Sequence, residues 1–243
     1  MAVSIEVKIY PGPKKVGKAV AEEIHKITQH SLQQQFHIAL SGGNTPKKLF
    51  KILAKQYKDK IHWERIHFWW GDERCVSPTS DESNFKMAND LLFTQVPVPS
   101  KNIHRIKGEN RPEEEAERYA AEISKNLLSR GGFPAFDLIL LGLGDDGHTA
   151  SIFPDRMDIL EDSRIVAVAK HPITAQKRIT LTGKVLNNAT RVFFLLTGEN
   201  KSLRVSEIMN NEEAAKKLPA NYINPKHGVL IWFLDEPAAS KIT

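Results

Sequence analysis

Apolar runs of strand length recur along the whole chain and alternate with longer amphipathic segments. The runs fall at residues 5–9, 37–40, 66–70, 137–141, 165–169, 192–196 and 229–234. Several are apolar at nearly every position, as strands covered on both faces must be. Strands separated by helix-length segments imply crossover connections, hence a doubly wound α/β fold: a mainly parallel, Rossmann-like sheet with helices on both faces. No low-complexity linker or internal repeat interrupts the pattern, and 243 residues with 41% hydrophobic content can bury a core without disulfides or metals. The expectation is one domain over residues 1–243, with functional loops at the carboxyl ends of its strands, after residues 40, 70 and 141.

Two helices are the clearest. One spans residues 113–128, where Ala116, Ala120, Ile123 and Leu127 share a face behind Pro112. The other follows SGGNTPKKLFKIL, with Thr45 as cap and Pro46 in the first turn.

The single cysteine, Cys75, permits no internal disulfide, and no other cysteine is available for a thiolate metal cluster. The amino terminus alternates apolar and polar residues, and nowhere do about eighteen apolar residues run together, so a cytoplasmic protein is expected. The sequons at Asn188 and Asn200 then read as chance matches. The formal charge of +5 suits nucleic acid, an acidic lipid surface or a small anionic substrate, and composition does not choose among them; the lysines are scattered, without a dense basic block, which reads as a solvated basic surface rather than a nucleic-acid footprint.

Four segments carry chemistry. ALSGGNTPKK runs from a strand end into a helix, so Ser41, Gly42, Gly43, Asn44 and Thr45 offer hydroxyls and unpaired N–H groups to a phosphate, or else form an ordinary glycine turn. Lys201, in TGENKSL, falls in the first turn of a helix, where a cation suits a nearby anion or is simply a surface residue. FWWGDERCVSPTSDESNF brings Asp72, Glu73 and Arg74 together, with Asn84 shortly after. It reads as an anion site or as a salt-bridged loop.

The fourth, LGLGDDGHTASIFP, contains G-x-G-x-x-G through Gly142, Gly144 and Gly147, the spacing of a dinucleotide loop. That reading fares badly. Asp145 and Asp146 would repel a pyrophosphate, Pro154 interrupts the helix that should follow, and the next strand ends in Lys170 where a ribose-binding acid belongs. The loop suits acid–base chemistry better: Asp146 and His148, two residues apart, can reach one substrate, and histidine carries protons near neutrality. A histidine that merely packs on the turn is the plainer alternative.

Taken together, SGGNTP, GDER, SDESN, LGLGDDGHTASIFP, KRITLT and FLDEPAAS, in this order over nearly the whole chain, resemble the 6-phosphogluconolactonase family, within the superfamily that includes glucosamine-6-phosphate isomerase/deaminase. The resemblance implies hydrolysis of 6-phospho-D-glucono-1,5-lactone to 6-phospho-D-gluconate in the oxidative pentose phosphate pathway, without a cofactor or metal. It makes His148 the general base, Asp146 its tuning partner or a substrate contact, Arg74 a phosphate ligand or a stabiliser of developing charge, and Asp72 a neighbour in the site. Residues Ser41 to Thr45 with Lys201 and Arg178 would cradle the phosphate, and Asn84 would touch the sugar. The partner is then a small sugar-phosphate lactone, with no nucleic acid or membrane, and a monomer suffices.

The nearest rival is the deaminase branch, whose pattern places a catalytic glutamate where this chain has Phe153 and a tyrosine where it has Arg74. A noncatalytic sugar-phosphate sensor on the same fold is the alternative of another class. The complete set of His148, Asp146 and Arg74 argues for the enzyme.

Overall fold

The structure is a computed structural model that describes residues 4–31 and 34–243; residues 1–3, where the amino-terminal stretch begins, lie outside the described residues. In chain order its elements are β1 (Ser4–Tyr10), α1 (Pro13–His30), β2 (Phe36–Leu40), α2 (Asn44–Gln56), β3 (Ile66–Trp70), β4 (Asp72–Arg74), α3 (Asn84–Ala88), α4 (Pro112–Asn126), β5 (Ser129–Arg130), β6 (Phe133–Pro134), β7 (Leu138–Leu141), α5 (Asp158–Glu161), β8 (Val166–Lys170), β9 (Lys177–Leu181), α6 (Gly183–Leu186), β10 (Arg191–Leu196), α7 (Ser202–Met209), β11 (Val229–Asp235) and α8 (Glu236–Ala239).

Six strands form one parallel sheet in the order β1-β11-β10-β7-β2-β3. Strands β2, β3 and β7 are buried along their whole length, which is why their sequences lack a polar face. Helix α1 buries Val16, Val20, Ala21 and Ile24 along one stripe. Gly17 lets α1 close on α2, since a Cβ there would stand 2.9 Å from Ile52 Cδ1. Each fully buried Leu, Ile, Val or Phe contributes about 1.5–3 kcal/mol, so the continuous central strands supply much of the driving force.

The chain runs outward from β2 to β3 and later returns to place β7 on the other side of β2. The loops leaving β2 and β7 therefore diverge, and such a switch point opens a crevice at the carboxyl ends of the strands.

The structure corrects two expectations. The run at 165–169 is β8, but it lies outside the parallel sheet, in an antiparallel sheet ordered β4-β9-β8. Only residues 171–176 separate β8 from β9, too few for a crossover, so a hairpin is the connection available. Thr45 does not cap α2. The helix starts two residues earlier than that cap implies, with Gly43 at the cap position in a left-handed conformation (φ +105°), and Thr45 Oγ1 instead lies 2.9 Å from Thr197 Oγ1. Pro46 does fall in the first turn, and the other expected helix runs Pro112–Asn126 with Leu127 closing it.

Candidate active site

The crevice holds a cavity of about 430 Å³ built from the ends of several strands. The loop after β2 contributes Ser41 to Thr45, β4 contributes Asp72 and Arg74, α3 contributes Asn84, the loop after β7 contributes His148, β9 contributes Arg178, and the segment after β10 contributes Lys201. Of the residues expected from sequence, these all line one space. Asp146 does not line it and stands behind His148.

The loop after β7 is built around that pair. Asp146 Oδ1 lies 2.6 Å from His148 Nδ1 and accepts the His148 backbone N–H at 3.0 Å, while Gly144 N–H donates to His148 O at 2.8 Å. Burial works against the Asp146 charge, but hydrogen bonding and Coulombic attraction from His148 outweigh it and hold the carboxyl at about 2. An ionised carboxylate only accepts, so Nδ1 carries a proton, and the neutral ring has its lone pair on Nε2. The ring is about one-third exposed and packs on Phe153, centroids 4.9 Å apart.

The letters after the histidine each have a task. Thr149 Oγ1 donates to Gly142 O at 2.9 Å and fastens the loop to its strand end. Ala150 adopts φ +47°, a left-handed conformation costing a non-glycine residue about 1–2 kcal/mol, and lines the cavity with a small side chain. Ser151 Oγ donates to Asp72 Oδ2 at 2.6 Å, joining this loop to β4.

Glu73, between Asp72 and Arg74, faces away from the cavity chemistry. It is buried and accepts from the backbone N–H groups of Arg74, Asn84 and Phe85 and from Ser83 Oγ, fixing β4 against α3; burial raises its pKa and those bonds partly offset the rise. Asn84 in turn donates to Asp72 O at 2.9 Å and crowds Gly42, where a Cβ would stand 2.0 Å from Asn84 Oδ1. Only glycine fits there.

Arg74 and Arg178 are direct cross-strand partners in β4 and β9. Burial, and then the Arg74 charge, lower the Arg178 pKa. Arg74 Nη1 donates to Glu82 O, but the Nε atoms of both arginines, and Ser41 Oγ, are buried with no hydrogen-bond partner among the described residues. Paired like charges with orphaned donors are arranged for an anion. Lys201, just before α7, reaches Asp145 Oδ1 at 2.5 Å, so the aspartate that argued against a dinucleotide is turned to the rim to hold a cation.

His171, also on the cavity wall, escaped sequence reading, because nothing in KHPITAQ marks it as chemical. Cys75 is half-buried, and burial pushes its thiol up to about 11, so it stays protonated near neutrality. The Asn188 side chain donates to the carbonyls of Arg130, Phe133 and Pro134, a structural use for one of the two sequons.

Residues 11–232 match the family model described as glucosamine-6-phosphate isomerases/6-phosphogluconolactonase. The chain belongs to this family. Among its curated relatives, the 6-phosphogluconolactonase of Aggregatibacter actinomycetemcomitans is 42% identical over 95% of this chain and 97% of its own. A crystal structure of a devB protein superposes with TM-score 0.92 at 46% identity, covering 98% of this chain and 100% of the other. The 6-phosphogluconolactonase of Thermotoga maritima superposes with TM-score 0.81 at 31% identity, covering 96% and 100%. At the site, the ring of Phe153 is buried against His148. Among the described residues no helix is long and apolar enough to cross a membrane.

Proposed function

We propose that this protein hydrolyses 6-phospho-D-glucono-1,5-lactone to 6-phospho-D-gluconate, the lactone-opening step of the oxidative pentose phosphate pathway, with His148 as the general base. The observation that carries this reading is the Asp146–His148 pair, with His148 on the wall of a cavity that Arg74 and Arg178 also line, each with a buried Nε lacking a partner among the described residues.

Water is deprotonated by His148 Nε2 as it attacks the lactone carbonyl, and the new C–O bond leaves a tetrahedral oxyanion. The imidazolium, steadied by Asp146, returns its proton to the ring oxygen as the C–O bond to it breaks. The product leaves as a carboxylic acid bearing a free hydroxyl, and the acid gives its remaining proton to solvent to become the carboxylate. Backbone N–H groups of Ser41 to Thr45, with Lys201 and Arg178, hold the phosphate as a remote handle, and Arg74 meets the same anion beside Arg178 or the charge developing at the carbonyl. Asp72 holds the β4 and β7 loops together through Ser151, and Asn84 sits where a sugar hydroxyl would pass.

These steps balance with water alone and call on no cofactor. The reading needs no group from a second subunit, and it is completed by a single catalytic domain over residues 1–243 that acts in the cytoplasm as a monomer. The test is substrate choice: consumption of the lactone above its spontaneous hydrolysis supports the reading, and ammonia release from glucosamine 6-phosphate would transfer the protein to the deaminase branch.

A further inference from the structure

We propose that His171 is a substrate-binding residue that donates Nε2–H from a neutral imidazole to an oxygen of the substrate phosphate, at the side of the cavity where Arg74 and Arg178 meet. The proposal rests on the sugar-phosphate reading of the cavity and adds to it a ligand contact from the β8–β9 hairpin.

The tautomer follows from the hairpin's own hydrogen bonds. The backbone N–H groups of Ile173 and Thr174 both point at His171 Nδ1, at 3.2 Å each. An atom that accepts two N–H bonds cannot carry a proton, so the ring proton sits on Nε2. Protonating Nδ1 would set an N–H against two others, and the hairpin thereby keeps the ring neutral. Burial, followed by the Arg178, His148 and Arg74 charges, works in the same direction and outweighs Asp146.

The ring is also held in place. His171 N–H donates to Gln176 O, and Ala175 N–H to His171 O, both at 2.9 Å. Gln176 Nε2 donates to Glu82 Oε2 at 2.6 Å, tying the hairpin to the loop whose Glu82 carbonyl holds Arg74. Phe153 meets the imidazole edge-on, centroids 5.2 Å apart, on its way to His148. With Nδ1 committed to the hairpin, the opposite edge of the ring, which carries Nε2, is the one left for the cavity it lines.

A neutral donor suits this location. Arg74 and Arg178 already face each other across the strands, and a third cation would raise the repulsion in the empty site. A neutral N–H adds direction to the anion's binding without adding charge. Because the phosphate does not react, its bond to His171 is equally strong in the ground state and the transition state, so losing it raises KM and spares kcat.

Two substitutions separate substrate binding from a purely structural role. His171→Asn keeps an acceptor near the Nδ1 position and removes the group at Nε2, whereas His171→Gln brings an amide N–H to the Nε2 position and gives up Nδ1. The expected result is that His171→Asn raises KM for the lactone and Kd for 6-phosphogluconate, the latter measured by calorimetry, by about tenfold or more. Its kcat should stay within about threefold of wild type, and His171→Gln should lie closer to wild type in both binding constants. Wild-type KM and Kd in His171→Asn, or weaker binding by His171→Gln than by His171→Asn, would overturn the proposal and leave the ring as a hairpin staple. Calorimetry is independent of turnover: a wild-type protein that binds 6-phosphogluconate but leaves the lactone intact refutes the hydrolase reading while the affinities of the two variants still decide His171. A wild-type protein that fails to bind 6-phosphogluconate overturns both.

Discussion

Replacing Gly144 by alanine would set a methyl carbon 2.1 Å from His148 Nδ1, 2.3 Å from its Cε1 and 2.6 Å from Asp146 Oδ1. Nonbonded contact requires roughly 3.5 Å, so the imidazole must retreat by more than about 1 Å or break its bond to Asp146. Gly144 is not in a left-handed conformation, so alanine suits its backbone, and the ring it strikes is a partly exposed side chain that can move. The cost therefore falls on catalysis. A displacement of about 1 Å from productive geometry is worth roughly 10²-fold in rate, about 2.7 kcal/mol in the barrier. Stability should change by about 1 kcal/mol or less, since the reduced backbone freedom of the unfolded chain offsets part of the crowding. The assay is lactone disappearance with spontaneous hydrolysis subtracted, alongside 6-phosphogluconate affinity and thermal melting. A kcat about 10²-fold down, with product affinity retained and Tm within about 4 °C of wild type, is expected. A Gly144→Ala enzyme turning over at the wild-type rate would refute the assignment of the Asp146–His148 pair as the reacting centre.

Asp146→Asn should lower kcat by about 10²–10⁴-fold, because the imidazolium loses its counter-charge. It should also flatten the acid dependence of stability. The native carboxyl lies at about 2 against 3.8 ordinarily, so its contribution is fully present above about pH 4 and is lost as pH falls toward 2. With 41% of the side chain exposed, solvent screening reduces that contribution to about 1 kcal/mol, readable as the difference in urea midpoints between wild type and Asp146→Asn. Arg178→Met should weaken competitive inhibition by inorganic phosphate and raise KM by about tenfold or more, while leaving Tm unchanged or higher, because the empty site is relieved of one of two facing cations. A fall in Tm with unchanged phosphate inhibition would make Arg178 structural.

What could be read from the sequence was whatever depends on neighbours along the chain. Strands β2, β3, β7, β10 and β11 announce themselves because burial on both faces leaves them mostly apolar, and the motif loops sit at the carboxyl ends of the sheet where a switch point opens. Strand β9 went unread because KRITL begins with two charged residues, and only pairing with β4 and β8 makes it a strand. Buried histidines were equally invisible: His37 accepts from Trp69 Nε1, and burial holds its pKa at about 4, while His67 reaches His104, itself paired with Glu122. Each of these partnerships spans 18 or more positions in sequence. Likewise, Asp145 and Lys201 are 56 residues apart, and the part His171 plays depends on a hairpin turning back toward Arg74. Long-range pairing of this kind leaves no local signature.

The most direct measurement is the rate of 6-phospho-D-glucono-1,5-lactone disappearance, followed by NMR against the spontaneous reaction, for wild type and His148→Ala at equal concentration. Enzymatic hydrolysis by wild type, with a fall of about 10²–10⁴-fold in His148→Ala and 6-phosphogluconate affinity retained, is the expected result. Undiminished turnover in His148→Ala would contradict the central claim and move the search for the base elsewhere in the cavity.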